Sequence, residues 1–213
     1  GFIYMKVLLI NGSPKERGCT YTALKVIADT LEEHGIDTEI VSAGTAPIRG
    51  CTGCGACSKS GLGRCIYDDD IVNTVIEKAA DADGFIIGSP VHYAAASGAI
   101  TSLMDRLCYA GGKNLILKPG AAIVSCRRGG ATAAFDQLNK YFTILNMPIV
   151  SSNYWNMVHG NTPDEVMQDE EGIQTMRQLG CNMAWLLEVI AAGKACGIMP
   201  PVPESKIKTN YIR

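Results

Sequence analysis

Four of the nine cysteines in this chain lie in one short segment, with the spacing of a metal-binding or redox site. They form the pattern Cys-x2-Cys-x2-Cys-x7-Cys, made by Cys51, Cys54, Cys57 and Cys65. Three thiolates two residues apart in a glycine-rich loop can hold three corners of an iron–sulfur cube, and a more distant cysteine completes it. Four-cysteine zinc sites usually contain two pairs with a longer spacer. A four-iron four-sulfur cluster, a zinc ion and metal-free thiols therefore remain as alternatives.

A second group of residues, which could bind an anion, follows the first apolar run. Residues 11–20 lead into an amphipathic helix, whose first N–H groups and dipole favour a bound anion. Ser13 and Thr20 add hydroxyl groups, and Lys15 and Arg17 add positive charge. The alternative is a solvated turn in which Thr20 only caps the helix. We predict a phosphate-binding loop.

A third loop, residues 89–98, suits a flat aromatic ligand. Pro90 stiffens the turn, Tyr93 supplies an aromatic plane, and the small residues that follow let the backbone approach a ring closely. Backbone N–H groups here could hydrogen-bond a ring edge that becomes electron-rich on reduction. His92 is a candidate proton donor, although such a histidine more often only makes loop hydrogen bonds.

Three other phosphate-binding patterns do not fit. A Walker loop requires four residues between its glycines and then lysine, whereas Gly12 and Gly18 are separated by five and Cys19 stands in the lysine position. The dinucleotide fingerprint, with its acid after the second strand, is missing. A receiver domain needs acids where Asn11 and Ser89 stand. These exclusions leave a flavodoxin-type site, with a mononucleotide phosphate on the first loop.

Composition limits the possible partners and the domain count. The 213 residues carry 19 Lys+Arg and 21 Asp+Glu, a balance that argues against nucleic acid or an anionic membrane as partner. No apolar run reaches the ~18 residues of a membrane helix, and the first residues do not resemble a signal peptide. An odd number of cysteines does not predict a disulfide framework. We expect a cytoplasmic protein with one domain over residues 1–213.

Strands and helices alternate along the chain and position these loops. Apolar runs predict strands at residues 3–10, 36–40, 84–88, 121–125 and 148–150, each followed by a helical periodicity. This alternation is typical of a doubly wound parallel sheet, in which the ligand lies beyond the carboxyl ends of the strands. A proline-rich segment, 200–213, is predicted to be an extended arm.

Short motifs follow the predicted strands in a fixed order. They are Asn11–Lys15 after strand one, Ser89–Tyr93 after strand three, Ser97-Gly98 and Asp105-Arg106 in the next helix, and Gly129-Gly130 after strand four. This set, covering approximately residues 5–155, resembles the NADPH-dependent FMN reductase family of flavodoxin-like proteins. The resemblance implies an α/β fold with a five-stranded parallel sheet in the order 2-1-3-4-5. It also implies FMN as cofactor, NAD(P)H as reductant, and a homodimer or homotetramer whose interface completes the flavin pocket.

Carried over by position, the resemblance assigns residues to each part of FMN. The residues that would bind the phosphate are Ser13, Lys15, Cys19 and Thr20. One side of the isoalloxazine ring would contact Pro90, Val91, His92 and Tyr93. The other side of the ring would contact segment 125–130, through Ser125, Arg127, Gly129 and Gly130. The family often has a small polar residue at Cys19 and a lysine where Thr101 or Ser102 stands. Asp105-Arg106 is interpreted as a structural ion pair at a helix end.

The cysteine pattern resembles that of iron–sulfur flavoproteins, a branch in which a four-iron four-sulfur cluster passes single electrons to and from FMN. The predicted function is an FMN-dependent oxidoreductase that takes a hydride from NAD(P)H and reduces a small acceptor, such as a quinone or flavin. The chemistry is expected on the cofactor, with His92 the one side chain considered as a proton donor. The alternative is an electron carrier or redox sensor of the iron–sulfur flavoprotein type, without a small-molecule substrate of its own.

Overall fold

The computed structural model describes residues 4–212, so Ile3, the predicted start of the first strand, lies outside the described residues. The strands are β1 (Lys6–Asn11), β2 (Asp37–Ser42), β3 (Gly84–His92), β4 (Ala95–Ala96), β5 (Gly120–Cys126) and β6 (Met157–His159). The helices are α1 (Cys19–Glu33), α2 (Ala56–Ser60), α3 (Val72–Asp81), α4 (Gly98–Gly111), α5 (Ala131–Ile144), α6 (Pro163–Gln168) and α7 (Glu170–Ala195), with a 3-10 turn at Gly112–Asn114.

Five strands form a parallel sheet in the order β2-β1-β3-β5-β6, which confirms the predicted topology. The additional strand β4 has two residues and pairs antiparallel with Val91 and His92 at the end of β3. Strand order reverses between β1 and β3, where open α/β sheets bind their ligands. The loops that follow β1, β3 and β5 therefore meet at one edge of the sheet.

The sheet is covered on both faces because successive side chains of a strand point to opposite sides. Leu8 and Ile10 of β1 belong to the core formed with α3, α4 and α5, whereas Val7 and Leu9 belong to the core formed with α1 and α7. All four are fully buried. Burial of each such side chain stabilises the fold by about 1.5–3 kcal/mol, which makes the sheet a rigid platform for its loops.

The edge strand is displaced from its predicted position. The sequence predicts a strand at 148–150, but there Ile149 makes only an isolated bridge to the start of β5. Pro148 has no N–H to donate to a ladder, and the chain leaves the sheet before β6 forms. Buried Asn156 then rejoins the sheet by donating from Nδ2 to the Ala122 carbonyl at 3.1 Å.

The last helix, α7, has 26 residues and packs on α1. No helix within residues 4–212 is long and apolar enough to cross a membrane. Residues 198–212 carry no helix or strand, and side chains there such as Val202 and Ile207 are exposed. Arg213, the end of the predicted arm, lies outside the described residues.

Close packing at the start of β5 makes Gly120→Ala destabilising. A Cβ at Gly120 would lie 2.7 Å from Phe142 Cδ1 and 2.9 Å from Met147 Cε. We expect the free energy of unfolding to fall by about 1–3 kcal/mol in denaturant titrations, because the core must shift to admit the methyl group. The matched control is Gly193→Ala in α7, where the nearest atom is 3.8 Å away and no loss is expected. Equal stability of the two variants would contradict the described packing.

Candidate functional site

Buried Asn11 gives the loop after β1 its shape. Its Nδ2 donates to the carbonyls of Lys15 at 3.4 Å and Glu16 at 3.1 Å, and its Oδ1 accepts the Ser13 N–H at 3.1 Å. Ser13 Oγ in turn accepts the Lys15 N–H at 3.1 Å. Asn11 was not among the predicted site residues, although its place at the end of a buried strand was a usable signal. These bonds hold Ser13 and Lys15 before the start of α1.

The start of α1 has free backbone donors. Its N-cap is Gly18, which offers no side-chain acceptor. The alternative in which Thr20 caps the helix is wrong, because Thr20 lies inside the first turn with its buried Oγ1 2.8 Å from Ser125 Oγ. The first N–H groups of α1 therefore remain available to an acceptor outside the protein, as phosphate binding requires.

Ser97 ties the loop after β3 to the loop after β1. Its hydroxyl donates to the Gly12 carbonyl at 2.7 Å, and its N–H donates to Ser89 Oγ at 2.9 Å. The same hydroxyl oxygen accepts the Ile100 N–H at 3.3 Å and so caps α4, as a serine before a helix is expected to do. Both serines are buried, which makes this a fixed junction between the two loops.

The loop between β3 and β4 turns sharply beside the loop after β5. Tyr93 and Ala94 adopt left-handed backbone conformations, with φ of 51° and 59°, and the Tyr93 side chain is fully exposed. Gly130 precedes α5 with φ of 89°, and a Cβ there would lie 2.7 Å from Ala94 Cα. Glycine at this position therefore permits both the turn and the contact between the two loops.

Nine of the twelve residues predicted to bind FMN line one pocket of about 190 Å³ at the carboxyl edge of the sheet. They are Ser13, Lys15, Cys19, Thr20, Pro90, Val91, His92, Ser125 and Arg127. The other three, Tyr93, Gly129 and Gly130, are not in its lining. The pocket also includes Pro14 and Cys126, which lie in the predicted loops, and Gly160 and Asn161, which the sequence analysis missed. The last two follow β6, so locating the true edge strand would have pointed to them.

Two thiols at this pocket are held in the neutral form. Burial raises the pKa of Cys19 and that of Cys126 above the ordinary thiol value. The Cys19 thiol donates to the Gly160 carbonyl at 3.7 Å. Neutral thiols add no negative charge to a pocket whose rim carries Lys15 and Arg127, and the local charge therefore suits an anion.

The predicted cysteine loop contains the short helix α2, and its four thiols line one cavity of about 420 Å³. Cys51 and Cys54 are exposed, whereas Cys57 and Cys65 are half-buried. Two glycines between the first three cysteines have left-handed backbone conformations, which lets the loop curl around the cavity. The four residues predicted as metal ligands are thus brought to a common space.

The thiols border this cavity without meeting at one point. Among residues 4–212, no three histidine, cysteine, aspartate or glutamate side chains are grouped so as to hold a metal ion. A zinc ion requires four ligand atoms within about 2.3 Å of one centre. A cubane cluster instead places each thiolate on a different iron, so its ligands stand around a larger volume. Four thiols around a cavity fit the cluster as a donor set.

Thiols in and near the cavity differ in acidity. The Ala56 N–H and the Thr52 hydroxyl hydrogen-bond the sulfur of Cys54 and lower the pKa of this thiol. Burial raises the pKa of Cys108, on α4, to about 12. The lowered pKa favours the thiolate of Cys54, the form that binds metals, whereas Cys108 is an inert packing residue.

Arg106, on α4, joins the cysteine segment to the body of the protein. Its guanidinium is 1% exposed and donates to Cys65 Sγ at 3.3 Å, to the Tyr67 carbonyl at 2.8 Å and to the Arg49 carbonyl at 3.2 Å. It also forms a buried ion pair with Asp70. Burial opposes ionisation of Asp70, but Arg106 and two backbone N–H groups outweigh it and lower the pKa of this carboxyl.

The predicted ion pair between Asp105 and Arg106 is wrong. Neighbouring helical residues point in different directions, and Asp105 instead accepts a 2.6 Å hydrogen bond from the Tyr141 hydroxyl of α5. The partner of Arg106, Asp70, lies 36 residues away in the chain, a distance that the local pattern could not reveal. The interpretation of Arg106 as structural is retained, with a different partner.

Comparisons with known proteins show which family the sequence matches. The sequence profile of the NADPH-dependent FMN reductase family matches residues 5–162. An iron–sulfur flavoprotein of Methanocaldococcus jannaschii is 32% identical over 194 residues, which cover 87% of this chain and 99% of that protein. An iron–sulfur flavoprotein of Archaeoglobus fulgidus is 34% identical over 178 residues, which cover 82% of this chain and 86% of the relative.

Solved structures share the fold at low sequence identity. An archaeal flavodoxin has a TM-score of 0.60 and 16% identity, covering 86% of this chain and 99% of its own. A flavone reductase has a TM-score of 0.69 and 17% identity, covering 88% of this chain and 64% of its own. These similarities confirm the flavodoxin-like fold. The profile match covers most of the chain, and both relatives are more than 30% identical over most of their length. The chain therefore belongs to the NADPH-dependent FMN reductase family.

Proposed function

We propose that this protein takes a hydride from NAD(P)H with bound FMN and passes the electrons to a small acceptor, such as a quinone or free flavin. The observation that carries the proposal is the pocket at the carboxyl edge of the sheet, where three loops converge. One loop has the features of a phosphate site and another those of a ring site. A mononucleotide with a flat ring is the ligand that uses both.

The phosphate end of the pocket supplies donors and positive charge. The uncapped N–H groups of α1 and the Lys15 ammonium would bind the phosphate oxygens, with Ser13 as a further hydroxyl donor. Thr20 and Ser125 share one hydrogen bond, and either hydroxyl can be its donor. Because the pair has two hydroxyl protons, one remains for the ligand.

The ring end is shaped by the loop after β3. Pro90 and Val91 give the wall an apolar surface, while Arg127 on the facing loop supplies positive charge near the rim. FMN, when bound, accepts a hydride and can release its electrons singly or in pairs. The protein contributes position and electrostatics: a cation beside a ring that gains negative charge favours the reduced form. His92 lines the same pocket and is a candidate proton donor.

Assembly into a homodimer or homotetramer is part of the proposal. Tyr93 projects fully exposed from a strained turn beside the pocket, although it does not line the pocket itself. An exposed aromatic side chain at the edge of a ligand pocket offers a contact surface to a partner chain. We therefore expect a second copy of the chain to complete the ring end.

A second candidate function is an electron carrier of the iron–sulfur flavoprotein type. It is favoured by the four cysteines that line one cavity, and two relatives carry the name iron–sulfur flavoprotein. A four-iron four-sulfur cluster, when bound, exchanges one electron at a time. Cys51, Cys54, Cys57 and Cys65 would hold it, and the Arg106 guanidinium would lie beside it.

Both candidate sites depend on α4. Ser97, at its start, is bonded to the loop after β1, and Arg106, nine residues later, lines the cysteine cavity. At 1.5 Å per residue these positions are roughly 14 Å apart along the helix. The same rigid element would thus set the separation between the flavin and a cluster.

Anaerobic rapid mixing of the FMN-loaded, reconstituted protein with NADPH or NADH separates the two functions. Loss of flavin absorbance within seconds, followed by repeated turnover with a quinone, is the result that the oxidoreductase predicts. Reduction by a one-electron donor alone, with no reaction with either nicotinamide, would favour the carrier. A purified protein that takes up no FMN would contradict both.

Lys15→Ala is expected to weaken FMN binding about tenfold, which corresponds to about 1.4 kcal/mol, because a charge-assisted contact to phosphate is lost. Fluorescence titration of the flavin-free protein with FMN measures this change. Riboflavin, which has no phosphate, should bind the variant and the parent protein equally.

The matched control is Lys25→Ala, which removes an exposed lysine from α1, the helix that follows the Lys15 loop. Lys25 pairs with Asp29 and does not line the pocket. We expect its FMN affinity to remain that of the parent protein. Equal effects of the two substitutions, or an equal loss of riboflavin binding, would contradict the assigned phosphate site.

A further inference from the structure

We propose that Arg106 holds Cys65 in place as the fixed ligand of the iron–sulfur cluster and raises the reduction potential of that cluster. This inference rests on the cluster proposed above and assigns a task to a residue that does not itself bind iron. The distinctive observation is a fully buried guanidinium with an N–H directed at a thiol of the cysteine cavity.

Cys65 is fixed along its backbone as well as at its sulfur. Its N–H donates to Asn73 Oδ1 at 2.8 Å, and its carbonyl accepts from Asn73 Nδ2 at 3.0 Å. Asn73 is buried within α3, a helix of the main core. Cys51 and Cys54, in contrast, are exposed on the glycine-rich loop. Cys65 is therefore the preset ligand, toward which the other three can close.

Arg106 cannot swing away from Cys65 without losing several buried contacts. Three of its four other N–H groups donate to Asp70 and to two backbone carbonyls. The planar guanidinium fixes the direction of its Nε–H once its two other nitrogens are bound. The 3.3 Å contact to Cys65 Sγ is thus imposed by the rest of the network. A lysine could supply charge at this place but not the same set of directed bonds.

The contact also affects reduction. Adding an electron makes a cluster and its thiolates more negative, and a hydrogen bond to a ligand sulfur stabilises that charge, which raises the potential. The effect is strong where water is excluded, since charges interact more strongly in a medium of low dielectric constant. Asp70 neutralises part of the guanidinium charge. Arg106 should therefore raise the reduction potential of the cluster, and Asp70 should lower it.

The test is potentiometric titration of the reconstituted protein under anaerobic conditions, with the cluster followed by electron paramagnetic resonance and the flavin by absorbance. We expect Arg106→Gln to lower the equilibrium constant for one-electron reduction of the cluster at least tenfold, a fall in midpoint potential of about 59 mV. The midpoint of FMN should not change. Iron, sulfide and FMN contents report whether each protein is loaded and folded.

The matched control is Arg64→Gln, the same substitution at the residue before Cys65. Arg64 is exposed and pairs with Asp68, so water screens its charge and the cluster midpoint should stay that of the parent protein. Asp70→Asn provides an independent measurement. It removes the counter-charge of Arg106, and we expect the cluster midpoint to rise.

The outcomes separate the inference from the function on which it rests. An Arg106→Gln protein that binds FMN but has lost its cluster, while Arg64→Gln retains it, supports the positioning of Cys65. A loaded Arg106→Gln cluster with the parent midpoint overturns the inference. If Arg106→Gln does not fold, Asp70→Asn decides, and an unchanged or lowered midpoint overturns the inference. A parent protein that takes up no iron and sulfide overturns the proposed cluster, and the inference with it.

Discussion

The buried hydroxyl of Ser97 is the contact on which both candidate sites depend. It caps α4 and at the same time binds the carbonyl of Gly12, so the start of this helix is fixed against the loop after β1. Parallel strands bring their loops to one edge of the sheet, but they do not by themselves fix the distances between loops. A buried hydrogen bond of this kind fixes the distance between two loops, because breaking it would leave an unpaired polar group in the core.

Farther along α4, Arg106 gives the cysteine segment a comparable anchor. The segment contributes few apolar side chains to the core, and its stability depends on the guanidinium, Asp70 and Asn73. Such buried polar networks are costly when partly satisfied and rigid when complete. The helix therefore has the proposed flavin pocket at its start and the thiol-lined cavity on its second half, and in the proposed electron carrier electrons would pass between these two sites.

Much of the architecture could be predicted from sequence because apolar runs and turn residues are local signals. The alternation of strands and helices and the three converging loops followed from them, whereas the strand order was implied by the resemblance to the family. The errors concern contacts between distant residues. Nothing in the run at 148–150 indicates that Asn156 rejoins the sheet through Ala122, and nothing beside Arg106 indicates that its partner is Asp70. Thr20 is a residue type that often caps helices, yet its hydroxyl pairs with that of Ser125 in β5.

Crystals of the anaerobically reconstituted protein, measured at the iron absorption edge, test the central claim most directly. The account predicts an anomalous peak in the cavity bounded by Cys51, Cys54, Cys57 and Cys65, with Arg106 beside it. It also predicts FMN density with its phosphate at the start of α1 and its ring against the loop after β3. Iron bound elsewhere, or a flavin phosphate away from α1, would contradict the account.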